Sequence, residues 1–202
     1  MQLVIITGAS RGFGRSLSLS FARLNRSKDL HFVLSGRDVN ELRIAETELL
    51  ACRAAVPGGG KTRVDVVVAD LADMEALPTA TEQLLQFIPC TDTTAAAGDV
   101  IYESAVLVNN AGSLGDLVCM GSSSEPSGRE KLLAIVTNIN MNISSTFYIT
   151  SEFIQRVVAA RENNCGGSAL AGSNFVVNVS SLCAVQPFDS WGLYCTGKVN
   201  NA

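Results

Sequence analysis

The chain has 202 residues, 47% of them hydrophobic and 17% charged, a composition that builds a single globular domain with a sizeable core and is unlike a disordered segment. A net charge of −4 provides no basic field to hold nucleic acid or an anionic membrane. The first apolar run, Leu3-Val4-Ile5-Ile6, follows no basic stretch, and no apolar run approaches roughly 18 residues, so neither a signal peptide nor a transmembrane helix is expected.

Strand-like and helix-like patterns alternate along the chain. Leu3 to Thr7 is a continuous apolar run ending in a Gly-rich turn, and a helix is predicted from Phe13 to about Asn25. A second strand, Phe32 to Ser35, precedes a helix from Asp38 to about Ala54, in which Val39, Leu42, Ala45 and Leu49 keep a helical period and Asp38 suits the N-cap. A third strand, Val64 to Ala69, leads to a helix from Asp73 to about Ile88. A fourth, Ala105 to Val108, leads to a long helix from Glu130 to about Ala160, read as unbroken. The fifth strand, Phe175 to Val179, precedes a last helix starting near Ser190.

Apolar runs of this length suit parallel strands covered on both faces. The alternation predicts an α/β fold, a Rossmann-like, doubly wound parallel sheet in three layers with right-handed crossovers. Pro57 to Gly60, Asp92 to Asp99 and Asn163 to Gly172 read as surface loops. Cys52, Cys90, Cys119, Cys165, Cys183 and Cys195 form no C-x-x-C pair. They are expected as free thiols in a reducing compartment, and no metal site is expected. His31 is read as incidental, placed before the second strand with no partner acid near it.

The turn after the first strand reads Thr7-Gly8-Ala9-Ser10-Arg11-Gly12-Phe13-Gly14. Glycines at this spacing let the backbone turn tightly and approach a pyrophosphate, while the helix N-terminus supplies N–H groups and a partial positive charge. The second strand ends Leu34-Ser35-Gly36-Arg37-Asp38, with no acid at position 36 to bond a ribose 2′-hydroxyl. Arg37, joined by Arg11, can grip a 2′-phosphate instead, and NADP is expected over NAD. Asp38 adjoins this pocket. Asp70-Leu71 ends the third strand where an adenine would lie, and Asn109-Asn110-Ala111-Gly112 ends the fourth where a ribose would pass.

Tyr194 and Lys198 are four residues apart and share one face of a helix. An ammonium near a phenol is expected to lower its pKa, so that Tyr194 can exchange a proton with a substrate oxygen. Ser181, at the end of the fifth strand, can hold the same oxygen.

Together these residues resemble the short-chain dehydrogenase/reductase family, over essentially the whole chain. The resemblance adds Asn142, in the stretch Asn142-Ile143-Ser144-Ser145-Thr146-Phe147, as the asparagine that holds a water between Lys198 and solvent; Asn138 and Asn140 compete for that place. Three stretches, TGASRGFGR from Thr7, NNAGSLGD from Asn109 and SSLCAVQPFDSWGLYCTGK from Ser180, are most similar to the branch that reduces side-chain ketones of pterins with NADPH. That branch implies a cytosolic homodimer, no nucleic acid and no membrane. Phe188 and Trp191 are expected to pack in the core rather than flank a pterin. Family members continue well past the lysine, so residues 1–202 are read as one NADP-binding domain lacking its last two strands and its substrate-covering segment, with the fifth strand left as an open edge. Another carbonyl substrate, or NADP binding without turnover, stays open.

Overall fold

In the computed structural model, residues 1–55, 58–88, 101–115, 127–162 and 170–199 are described. The expected loop at Asp92 to Asp99, Pro57 of the loop Pro57 to Gly60, most of the loop Asn163 to Gly172, and Cys90, Cys119 and Cys165 lie outside them.

The elements run β1 (Gln2–Ile6), α1 (Gly12–Leu24), β2 (Leu30–Gly36), α2 (Val39–Ala54), β3 (Thr62–Val68), α3 (Leu77–Leu85), β4 (Ser104–Asn109), α4 (Gly128–Ile139), α5 (Ser145–Glu162), β5 (Phe175–Asn178) and α6 (Gly192–Val199). The strands form one parallel sheet in the order β3-β2-β1-β4-β5. The chain winds outward from β1 through β2 to β3, then returns to the other side of β1 with β4. The carboxyl ends of β1 and β4 therefore diverge, and ligands of open α/β sheets bind in that crevice.

Alternation along the inner strands makes two cores. Leu3, Ile5, Val33 and Leu107 face α3 and α5, meeting Leu84, Leu85, Ile149 and Phe153. Val4, Ile6, Phe32, Leu34, Val106 and Val108 face α1 and α2, meeting Ala22, Leu42 and Leu49. Both faces are covered, as the apolar runs predicted. The outer strands differ. β3 is mostly half-buried, and β5 leaves Phe175 and Val177 exposed. Position in the sheet decides this, and apolar runs in edge and central strands read alike.

The long helix predicted after β4 is interrupted. Between α4 and α5, Asn140–Ser144 form a π-helical turn. α3 begins later than expected, because Asp73 Oδ1 accepts from the backbone N–H groups of Glu75 and Ala76 and holds a turn there. Among the described residues no helix is long and apolar enough to cross a membrane.

Two buried charged or titratable groups organise the lower part of the sheet, and His31 corrects its reading. It lies within β2, fully buried. Its Nε2 is 2.6 Å from Asp65 Oδ2 on β3, and its Nδ1 is 2.6 Å from Tyr102 Oη. The acid was invisible in sequence because the strand register, His31 opposite Arg63, brings it from 34 residues away. Burial holds the imidazole below its ordinary 6.5, Asp65 pulls it upward, and Arg63 pushes it down.

A folded state with the lower pKa binds the proton less readily than the unfolded chain. This contribution to stability is present above pH 6.5 and lost as pH falls through the folded value. The melting temperature should therefore drop on acidification from about pH 7.5 to about pH 5, and His31→Gln should flatten that part of the profile. Identical slopes in the two proteins would show that His31 does not couple folding to protons.

Arg53, on α2, is the second such group. It is 6% exposed. Its guanidinium donates to the carbonyls of Ala22 (3.2 Å), Asn25 (2.8 Å), Arg26 (3.1 Å), Lys28 (2.7 Å) and Gly60 (3.0 Å), and to Thr62 Oγ1 (2.8 Å). It satisfies the last carbonyls of α1 with a positive charge at the negative end of the helix dipole.

Candidate active site

The turn from β1 into α1 is held open by the residues that follow β4. Thr7 Oγ1 accepts the backbone N–H groups of Asn110 and Ala111, each at 3.0 Å. Asn110 Nδ2 donates to the carbonyls of Thr7 (2.9 Å) and Gly8 (3.1 Å). The packing is so close that a side chain on Gly8, at φ +65°, would begin 2.9 Å from Ala111 Cα, and one on Gly14 would begin 2.4 Å from the carbonyl oxygen of Gly8. Only glycine fits either place. No side chain caps the start of α1, where Arg11 is extended.

A cavity of about 260 Å³ opens on this turn. Gly8, Ser10, Arg11, Gly12, Phe13 and Gly14 line one side; Gly36, Arg37, Leu71, Ala111 and Gly112 line the rest. Arg11 and Arg37 are both exposed there. The structure thus brings together most of the residues that the sequence marked for a dinucleotide.

Five residues marked for the cofactor do not line this cavity; Tyr194 and Lys198, expected to bind it as well as to react, line a second one, and the other three are turned elsewhere. Asp38 caps α2, accepting from the N–H groups of Asn40 (2.8 Å) and Glu41 (3.2 Å). Asp70 Oδ1 accepts from Ala72 N–H at 3.0 Å. Asn109 is buried, its Nδ2 donating to Thr150 Oγ1 (2.8 Å) and Asn178 Oδ1 (2.9 Å), which ties β4 to α5 and β5. Sequence reasoning overlooked Asn110, Met141 and Ser35, which do line it. Asn110 stood within a stretch already marked. Ser35, whose buried hydroxyl has no hydrogen-bond partner among the described residues, was taken only for a strand residue.

A second cavity, of about 360 Å³, shares Phe13, Asn110 and Gly112 with the first. Its other walls are Val179, Ser180, Ser181, Tyr194 and Lys198. Tyr194 and Lys198 lie on α6 as predicted. Lys198 is 3% exposed; its Nζ donates to Val179 O at 2.9 Å and lies 5.5 Å from the centre of the Tyr194 ring. Ser181 lies beside Tyr194 in the wall of this cavity. Its Oγ accepts from Cys183 N–H at 3.3 Å.

The expected lowering of the tyrosine pKa is not what this geometry gives. Burial raises the Tyr194 phenol above its ordinary 10.0, and the nearby Ser181 hydroxyl only partly opposes it. Burial also lowers Lys198. The phenol is therefore held protonated at neutral pH, the state in which it can give a proton away. Phe188 and Trp191 are not in the core as expected. Phe188 is exposed and Trp191 half-buried; their ring centres are 5.5 Å apart, and Trp191 meets Tyr194 edge-on at 5.9 Å.

Asn142 sits in the π-helical turn, 1% exposed. Its Oδ1 accepts from Ser113 N–H (3.0 Å) and its Nδ2 donates to Ser113 O (2.8 Å). A side chain on Gly112 would begin 3.1 Å from Asn142 Oδ1 and 3.3 Å from Lys198 Nζ, so amide and ammonium face one point. Asn140 points elsewhere, its Nδ2 3.4 Å from Ala72 O.

A profile of the short chain dehydrogenase family matches residues 2–200. The chain belongs to that family. It is 38% identical over 200 residues to a sepiapterin reductase from Bos taurus and 35% identical over 196 residues to one from Meriones unguiculatus, in each case over at least 96% of this chain. It spans 62% and 63% of their lengths. A benzil reductase from Bacillus subtilis is 23% identical over 98% of this chain. Among solved structures, a metagenomic short-chain oxidoreductase in complex with NADP matches with a TM-score of 0.66 at 22% identity, over 99% of this chain and 70% of its own. A short-chain dehydrogenase from Sphingobium yanoikuyae in complex with NADPH matches with the same TM-score at 21% identity, over 99% of this chain and 61% of its own. These last likenesses speak for the fold. The family resemblance read from the motifs is borne out, and the relatives that match include proteins named sepiapterin reductase.

Proposed function

We propose that the chain carries the cofactor site and reacting residues of an NADPH-dependent carbonyl reductase acting on side-chain ketones of pterins. The observation that carries this reading is the convergence of Ser181, Tyr194 and Lys198 on a cavity that shares its wall with the glycine turn. Relatives named sepiapterin reductase support the pterin as substrate.

The residues fit a dinucleotide. The glycine turn would cradle the pyrophosphate against the N-terminus of α1, Arg37 and Arg11 would bond the 2′-phosphate, and Leu71, Ala111 and Gly112 would line the adenosine half. When bound, NADPH supplies the hydride. Ser181 holds the substrate carbonyl oxygen by a hydrogen bond, and Tyr194 gives that oxygen its proton. Lys198, anchored on Val179 O, stabilises the phenolate left behind, and Asn142 orders the path by which the proton is replaced. Trp191, edge-on to Tyr194, and Phe188 next to it offer an aromatic flank to a pterin ring. Assembly as a homodimer in the cytosol belongs to the same reading.

The test is NADPH oxidation with sepiapterin and, separately, with benzil. Turnover of sepiapterin in preference supports the proposal. Preference for benzil would keep the reductase and replace its substrate; NADPH binding with neither reaction would reduce the chain to a cofactor-binding unit. In the same assay Arg37→Ala should weaken NADPH by roughly tenfold or more, the worth of a charge-assisted bond, and leave NADH nearly unchanged. Equal weakening of both would remove Arg37 from the phosphate site.

A further inference from the structure

Asn138 lies on α4, four residues ahead of Asn142 and 4% exposed. It has no part in the chemistry above. The two bonds between Asn142 and Ser113 decide which end of the Asn142 amide is oxygen, because a backbone N–H must meet an acceptor and a backbone carbonyl a donor. Asn142 Nδ2 also donates to Asn138 Oδ1, at 3.0 Å. Asn138 Nδ2 lies 3.5 Å from the carbonyl oxygen of Ser113, closing the group on itself. Gly115, at φ +66°, keeps this place open, since a side chain there would begin 2.5 Å from Asn138 Nδ2.

We propose that Asn138 is a positioning residue that fixes the amide plane of Asn142, and with it the oxygen that shares the space at Gly112 with Lys198. The inference rests on the reductase reading. Without the bond to Asn138 the Asn142 amide is freer to rock about its χ2 axis, the soft torsion of asparagine. The bond from Nδ2 to Asn138 Oδ1 restricts that motion. The need is acute beside Lys198, a buried ammonium whose ionisation answers to the direction of every nearby dipole. The π-helical turn belongs to the same device, since it sets the pitch between Asn138 and Asn142.

Two variants separate positioning from packing. Asn138→Leu keeps the volume and removes the acceptor; Asn138→Asp keeps an acceptor in the same place. The readouts are kcat and the Kd of NADPH, and the midpoint of Lys198 Nζ followed by ¹⁵N NMR, which needs no turnover. Asn138→Leu should lower kcat roughly tenfold to a hundredfold, as small misplacements of a reacting group do. It should leave the Kd of NADPH unchanged and move the Lys198 midpoint by about half a pH unit or more. Asn138→Asp should recover most of kcat, while its carboxylate charge raises the Lys198 midpoint by attraction. An unmoved Lys198 midpoint, or equal damage from the two variants, would overturn the proposal. If the unaltered chain reduces no ketone while the midpoint still moves with Asn138→Leu, the reductase reading fails and the positioning role stands. Where Asn138→Leu does not fold, Asn138→Ala removes the acceptor without strain and is read in the same way.

Discussion

Tyr194→Phe is expected to lower NADPH-dependent ketone reduction by roughly a hundredfold to ten-thousandfold, the range over which a positioned proton donor contributes. The substitution removes a single oxygen. The ring keeps its edge-on contact with Trp191 and its place 5.5 Å from Lys198 Nζ, so the walls of the cavity stay where they are. NADPH affinity should not change, because the 260 Å³ cofactor cavity has no lining from Tyr194. Single-turnover rates and NADPH fluorescence titration measure the two quantities separately. Wild-type turnover in the variant would mean that another group supplies the proton, and Ser181 would be the first to suspect.

The largest expected loss of stability belongs to Arg53→Met. The replacement matches the length of the side chain but leaves five backbone carbonyls and the Thr62 hydroxyl without the guanidinium that now meets them. Removing one side of a buried charged network costs about 3–5 kcal/mol, a large share of the stability of any domain this size. Urea unfolding would show it as a midpoint shift at unchanged slope. Arg53→Lys, which keeps the charge but loses the planar fork, should fall between the two. A loss under about 1 kcal/mol for Arg53→Met would mean that water replaces the guanidinium at those carbonyls.

What could be read from sequence was whatever depends on neighbours along the chain. The apolar runs at Leu3 and Ala105, the turn from Gly8 to Gly14, and the Tyr194–Lys198 spacing are local, and the structure places them as expected. What could not be read depends on register and layer. His31 meets Asp65 and Tyr102 only because β2 lies beside β3 and in front of the segment entering β4. Arg53 gains its partners from backbone carbonyls at the end of α1 and just before β3, and backbone acceptors leave no mark in the side-chain pattern. The raised phenol of Tyr194 reflects burial, which spacing along a helix cannot report. Asp70 shows the converse error. It stands where an acid can serve a ligand, yet it spends its carboxylate on its own backbone, as Asp38 does in the N-cap that the sequence also offered it.

The π-helical turn at Asn140–Ser144 carries a consequence for how this region tolerates change. A regular helix through the same residues would be the easier backbone to build, and the apolar spacing continues across the turn as if it were one. The extra residue instead puts α4 and α5 about 100° out of phase. Ile149, Phe153 and Val157 stay against the sheet while Asn142 is swung toward Ser113. Deleting one residue here would relax the backbone and rotate the asparagines off their target in the same stroke. Local stability and correct aim pull in opposite directions at this turn, so selection for a sturdier helix alone would erase the arrangement.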